Sequence, residues 1–168
     1  TVITGFLYST GYLKPYLNKK PDLWIRLHYL ALVWLQASMI MVTLFRNGFW
    51  FLVAWELMTI SSFILVIFDF DARGTIKAGL SYLLQMHVGM IFILAAFMIS
   101  SAGSEAISFD NLRQFFQSNS NWPVFFLFFL GFGLKAGFFL LHTWLPDAHP
   151  AAPSHISGIM SGVMIKLG

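Results

Sequence analysis

The sequence predicts an all-α polytopic transmembrane helix bundle, and three observations carry that prediction. Hydrophobic residues make up 58% of the 168 and charged residues only 10%, against roughly 25% charged in a soluble domain. Mean hydropathy is +0.73. The apolar residues come in stretches close to the ~20 that a helix needs to cross a bilayer, and charges and turn formers collect between them.

The first stretch covers about 27–45, with Lys14, Lys19, Lys20 and Arg26 before it and Arg46 and Asn47 after it. Residues 2–12 are too few to cross alone and are expected to be the tail of an earlier helix. The second stretch covers about 48–68 and ends at Asp69, Asp71 and Arg73; the third covers about 75–100, with Lys77 near its start. A fourth, about 123–144, opens on Pro123, which suits the first turn of a helix. A fifth starts near 154 and is cut off after Lys166. The chain begins without methionine or a signal-peptide pattern and is expected to be an interior piece of a larger membrane domain.

Counted crossing by crossing, Lys14, Lys19, Lys20, Arg26, Arg73 and Lys77 share one side, against Arg46 and Arg113 on the other. The positive-inside rule places the first side, with Arg73, Lys77, Asp147 and His149, in the cytoplasm. The connection 101–122 is then external. Within it Ile107, Phe109, Leu112, Phe115 and Phe116 recur at near-helical spacing, as in a short interfacial helix; a collapsed apolar loop is the alternative. The net charge of +3 is scattered over segment ends rather than gathered with exposed aromatics, which argues against nucleic acid as a partner. With no cysteine, the chain has no disulfide, thiolate metal site or iron–sulfur ligation. No nucleophile or cofactor motif is visible, so any redox chemistry belongs to a partner and no cofactor is expected here.

Glu56, Lys135 and Lys166 lie deep in apolar stretches. A charge at the bilayer centre costs about 2.5–3.5 kcal/mol on insertion scales and marks ion or proton paths. Glu56 is about eight residues into its stretch, near ~12 Å deep at ~1.5 Å per residue. A carboxyl bonded to a neighbouring helix is one role for it; a carboxylate that changes protonation during turnover is the favoured one, because an amide would fill a structural role better. Lys135 sits among Gly131, Gly133 and Gly137. Each glycine costs about 1 kcal/mol relative to alanine in a helix interior, and together they permit a break of the kind that lines cavities in membrane proteins. The alternative is a packing pattern with a snorkelling lysine. Lys166 is about twelve residues past Ser154, or roughly 18 Å; the alternative is an interfacial lysine at a helix end.

His87 lies near the centre of the third stretch, close to Tyr82 and Gln85. Imidazole suits proton relay, and a satisfied interior histidine is the equal alternative. His142, His149 and His155 surround Leu145-Pro146-Asp147-Ala148. Their spacings match no helical ligand pair, so no metal site is expected, and proton uptake from the cytoplasmic side is the better use.

The run GFGLKAGFFLLHTWLPDAHPAAP at 131–153, followed by SGIMSGVMIK at 157–166, resembles the antiporter-like proton-translocating subunits of respiratory complex I. These are related to Mrp-type antiporter subunits and to membrane subunits of energy-converting nickel–iron hydrogenases. HPAAPSHISGIMSGVMIK and YLLQMHVG look closest to the formate-hydrogenlyase-type hydrogenases. The resemblance implies a fragment of a fourteen-helix fold with a discontinuous helix around Lys135. It matches Glu56, in AWELMTISSF, to the family's fifth-helix glutamate, Lys135 to the lysine of the broken seventh helix and Lys166 to the eighth-helix lysine. Many relatives have proline shortly after the seventh-helix lysine, where this chain has Ala136-Gly137-Phe138, so its break would rest on glycine.

The function implied is proton translocation by a subunit of a redox-driven complex, hydrogenase-linked or NADH/quinone-linked. The alternatives are an Mrp-type Na⁺/H⁺ antiporter subunit and a structural membrane anchor. In the expected relay a positive Lys135 stabilises ionised Glu56, an interaction worth about 4 kcal/mol at ~4 Å and an effective ε of ~20. Weakening that pair frees the lysine's proton to pass to Lys166, with His87, His142 and His149 as further carriers. The partners implied are other membrane subunits, a peripheral redox arm and the lipid bilayer, in the cytoplasmic membrane of a bacterium or archaeon.

Overall fold

The computed structural model describes residues 2–104, 107–118 and 122–168. Among these the chain is helical, and its one β-type contact is an isolated antiparallel bridge between Asn47 and Ser108. Helix α1 (Val2–Tyr12) leads through a 3₁₀ turn at Lys14–Tyr16 to α2 (Asp22–Leu44). Then come α3 (Gly48–Val66) with a 3₁₀ extension over Ile67–Asp69, α4 (Thr75–Ser100) and the short α5 (Phe109–Ser118). Helix α6 (Trp122–Ala136), α7 (Leu145–Ala151) and α8 (Ser154–Ile159) follow, and α8 continues as a π turn over Met160–Met164 and a 3₁₀ turn over Ile165–Leu167.

The helix boundaries follow from local chemistry. Pro21 precedes α2, where its fixed φ and missing N–H suit a helix start, and Asp22 places a negative charge in the first turn. Asn47 caps α3: its side-chain oxygen accepts from the N–H of Phe49 at 2.9 Å and of Trp50 at 3.3 Å. Gly74 turns the chain into α4 at φ 92°, a conformation that costs other residues about 1–2 kcal/mol.

Asp22–Leu44, Gly48–Asp69 and Thr75–Ser100 are long and apolar enough to cross a membrane, whereas the apolar α6 is shorter. Helix α2 packs on α3, α3 on α4 and α4 on α6. The core between them includes Leu35, Trp55, Met58, Leu65, Tyr82 and Met86. Leu23, Leu30, Trp34 and Ile91 turn outward on the same helices, as expected where lipid or neighbouring membrane segments replace water. The chain is an integral membrane protein.

The α4–α6 crossing brings two backbones close together. A Cβ on Gly131 would lie 2.7 Å from the carbonyl oxygen of Gly89, and one on Gly89 would lie 3.0 Å from that of Gly131. Two glycines facing each other let the backbones meet, and this seats the end of α6 against α4.

Part of the 101–122 connection, residues 105–106 and 119–121, lies outside the described residues. The rest contains α5, whose Phe109 stacks edge-on against Phe51 and Phe97, so its apolar face packs onto α3 and α4.

Candidate functional site

Helix α6 ends at Ala136, one residue after Lys135. Gly137 has φ 68°, and a Cβ there would run into the side chain of Leu145. The amide of Phe138 bonds to the carbonyl of Gly133 at 2.9 Å, which leaves the Leu134 carbonyl without its helical donor. Trp144, fully buried, fills that vacancy: its indole N–H donates to Leu134 O at 2.9 Å. Thr143 ties the irregular stretch to α4 by donating to Gln85 Oε1 at 2.9 Å, and the Trp144 ring packs 5.1 Å from that of Tyr82. The buried Leu134 carbonyl freed by the break is thus met by a side chain, as a membrane interior requires.

Lys135, on the last turn of α6, is only 1% exposed. Its Nζ lies 3.4 Å from Thr59 Oγ1 on α3 and 3.4 Å from the Tyr82 hydroxyl on α4. It also sits 5.5 Å from the Trp55 ring centre and 5.7 Å from that of Tyr82, within cation–π range. Thr59 spends its own proton on the Trp55 carbonyl at 3.1 Å, so its lone pairs are left for Lys135. Tyr82 shares a 2.5 Å hydrogen bond with Ser62, whose hydroxyl also lies 2.7 Å from the Met58 carbonyl and 2.9 Å from that of Thr59. With Ser62 donating to a carbonyl, Tyr82 donates to Ser62 and accepts from Lys135.

Glu56 lies one helical turn before Thr59. Its Oε2 is 3.2 Å from Nε2 of His87, and its Oε1 is buried without a partner. The other ring nitrogen of His87 lies 2.9 Å from the Leu83 carbonyl, so Nδ1 carries a proton. Nε2 and the carboxyl then hold one further proton between them, either as imidazolium and carboxylate or as imidazole and carboxylic acid.

The expected contact between Glu56 and Lys135 is not direct. Among the described residues no ion pair joins them, and each is engaged elsewhere, although they remain within electrostatic reach of one another. The physical reason is the break: it ends α6 at Ala136 and points the ammonium into the hydroxyl pair of Thr59 and Tyr82. Lys166 is exposed on the 3₁₀ turn that follows the π segment. That turn packs against the Lys135 end of α6, where a Cβ on Gly168 would lie 2.9 Å from Lys135 Cβ.

His142 and His149 stay apart from this group. His142 Nδ1 is 3.3 Å from the Phe138 carbonyl, and its ring stacks on Phe139. His149 Nδ1 is 2.8 Å from Ser157 Oγ, and burial lowers its affinity for a second proton below that of an ordinary imidazole. Sequence reasoning missed Thr59, Ser62 and Trp144; the available signal was that Thr59 and Ser62 repeat from Glu56 at helical spacing of three.

The family described as NADH:quinone oxidoreductase/Mrp antiporter, TM matches residues 46–168. Hydrogenase-4 component B of Escherichia coli (strain K12) is 40% identical over 168 residues, covering 99% of this chain and 24% of that protein. NAD(P)H-quinone oxidoreductase chain 4-3 of Nostoc sp. is 30% identical over 174 residues, covering 99% of this chain and 30% of that protein. The chain therefore spans about a quarter to a third of the length of these curated relatives. Among solved structures, the membrane-bound sulfane sulfur reductase, an archaeal respiratory membrane complex, matches with a TM-score of 0.70 and 31% identity over 82% of this chain and 22% of its own. The fold is an all-helical fragment of a larger antiporter-like bundle with a discontinuous helix after Lys135. The chain belongs to the NADH:quinone oxidoreductase/Mrp antiporter transmembrane family.

Proposed function

We propose that this chain is part of a proton-translocating membrane subunit of a redox-driven complex, of the hydrogenase or NADH/quinone type. Family membership and the likeness to hydrogenase-4 component B support the class. The observation that carries the mechanism is a buried ammonium at the end of a broken helix, set beside a carboxyl that shares a proton with a histidine.

In this reading Glu56 and His87 form the first station and Lys135 the second. When the Glu56 station is ionised, its field favours the charged lysine; when it takes up a proton, that support weakens and Lys135 yields its own. The hydroxyls of Thr59 and Tyr82 accept from the ammonium in its charged state and hold the lysine in place after it discharges. Lys166, on the turn packed against the same end of α6, is the onward acceptor, and His142 and His149 serve uptake. Arg73, Lys77, Asp147 and His149 face the cytoplasm of a bacterial or archaeal cell. Other membrane subunits and a peripheral redox arm complete the complex.

The test is proton movement per electron turnover in vesicles containing the assembled complex. Glu56→Gln and Lys135→Ala should each uncouple turnover from pumping. Wild-type pumping in both variants would overturn the relay. Loss of assembled complex with normal pumping per complex would instead identify an anchor, and sodium-dependent proton flux without an electron donor would identify Mrp-type exchange.

A further inference from the structure

A second pair of buried titratable groups lies away from the Lys135 site. His28, on α2, and His155, on α8, face each other with 3.0 Å between their Nε2 atoms. They are only 1% and 6% exposed. Each has a buried Nδ1 with no partner. Phe68 packs against the His28 ring at 4.6 Å, and Tyr12 packs edge-on against His155 at 5.1 Å. The titratable neighbours in ring contact are Tyr8 and Tyr12 from α1 and Tyr29 from α2; Asp69 acts on Tyr12 and is itself paired with Lys20.

This geometry admits one proton inventory. Two bare Nε2 atoms at this distance would repel through their lone pairs, and two Nε2–H groups would clash, so a single proton sits between the rings. In the neutral pair one outer Nδ1 is then a buried donor without an acceptor, and the other a buried acceptor without a donor. Buried polar groups are rarely left in that state without a functional reason. His155 also lines a groove of about 350 Å³ between α1 and α8, bordered by Thr4, Tyr8 and Ser154. The His155 ring thus borders this groove with its Nδ1 itself buried, while His28 ends inside the bundle.

We propose that His28 and His155 form a second proton-binding site, a two-imidazole wire that carries protons between the α1–α8 groove and the interior of the bundle. A proton from the groove bonds to Nδ1 of His155. The bridging proton then shifts from Nε2 of His155 to Nε2 of His28, and the Nδ1 proton of His28 departs inward. One proton enters and one leaves, only N–H bonds change, and the pair is left in the opposite tautomer. Both rings must reset before the next transfer, so the wire passes one proton per cycle.

The inference rests on the translocation reading, and its test separates the two. In the assembled complex labelled with ¹⁵N-histidine, NMR should show a through-hydrogen-bond nitrogen–nitrogen coupling that disappears in His28→Gln and in His155→Gln but survives Glu56→Gln. In vesicles each histidine variant should lower the rate of proton pumping by about 100-fold, the lower bound for a positioned proton carrier. The double variant should be no worse than the poorer single, because both rings serve one step. If Glu56→Gln uncouples pumping while both histidine variants pump at the wild-type rate, the wire is overturned and the relay stands. If Glu56→Gln pumps normally, the relay fails whatever the histidines do. Where a variant does not accumulate, the wild-type coupling still decides, since its absence means that the rings share no proton.

Discussion

His87 Nε2 and Glu56 Oε2 lie 3.2 Å apart, within reach of one shared proton. The 2.9 Å contact of His87 Nδ1 with the Leu83 carbonyl fixes one ring proton, and the 3.2 Å contact of Nε2 with Glu56 Oε2 leaves room for one more. A carboxyl and an imidazole sharing a proton can exchange it without moving heavy atoms. Glu56 Oε1, on the other side of the carboxyl, is buried and has no hydrogen-bond partner among the described residues.

His87→Gln tests whether that exchange is used. Glutamine can still donate to Glu56 but cannot take its proton. The pumping rate should fall by about 100-fold or more if the imidazole accepts the proton, the usual scale for a positioned proton carrier. An unchanged rate would show that the bridge only orients the carboxylate.

Lys20 clamps the start of α2 to the α3–α4 turn and gives the fold a pH dependence of known sign. Its Nζ lies 2.5 Å from Asp71 and 3.2 Å from Asp69, and 4.0 Å from the Phe70 ring centre. Burial opposes its charge, but hydrogen bonds to Asp71 and Asp69 outweigh that and raise its affinity for the proton above the ordinary lysine value. Because the folded value is raised, the stabilisation is fully present below the ordinary value of about 10.4 and is lost as pH rises through the folded one. Unfolding of the solubilised protein should be insensitive to this group near neutral pH and become easier in strongly alkaline buffer. Lys20→Met should remove that alkaline loss and cost at most about 1.5–3 kcal/mol at neutral pH, the range for a hydrogen-bonded charge.

The glycine contact between α4 and α6 should tolerate no side chain. In Gly131→Ala the new methyl would sit 2.7 Å from the Gly89 carbonyl oxygen and 3.2 Å from the amide nitrogen of Ile93. Backbone cannot yield as a flexible side chain can, so the helices must separate. Overpacking of this kind costs about 1–3 kcal/mol. Thermal unfolding should register that loss, and pumping should fall with it because Lys135 is one turn further along α6.

The long helices were legible because the residues between them punctuate strongly. Pro21-Asp22, Arg46-Asn47 and the Asp69–Gly74 stretch interrupt the apolar runs with residues that cap or turn a helix. The end of α6 was less legible, since Phe138, Phe139, Leu140 and Leu141 continue the apolar run past the break. There the boundary depends on one dihedral angle and on a tryptophan ten residues from the carbonyl that it satisfies. Glu56 and Lys135 stood out because a lone charge in an apolar run is costly. Their partners did not, because a hydroxyl in a membrane helix usually bonds its own backbone, as Thr59 and Ser62 also do here. The His28–His155 contact spans 127 positions and leaves no local signature.

Gly137 and Trp144 should together set the sharpness of the break. Gly137→Ala forces an L-residue to φ 68°, costing about 1–2 kcal/mol for the left-handed conformation, and adds a contact with Leu145. Trp144→Phe keeps most of the buried ring but leaves the Leu134 carbonyl unpaired, at about 1–3 kcal/mol. The two changes act on one structural feature, so their costs should not add: once either has let α6 continue past Ala136, Phe138 can donate to Leu134 in the ordinary helical pattern. A double-mutant cycle by thermal unfolding should therefore give a coupling energy of about 0.5–3 kcal/mol between them. Strict additivity would mean that the glycine and the indole stabilise the break independently. Both single variants should also impair pumping, because an α6 that runs on as a helix frees Trp144 from the packing that holds Tyr82 beside Lys135.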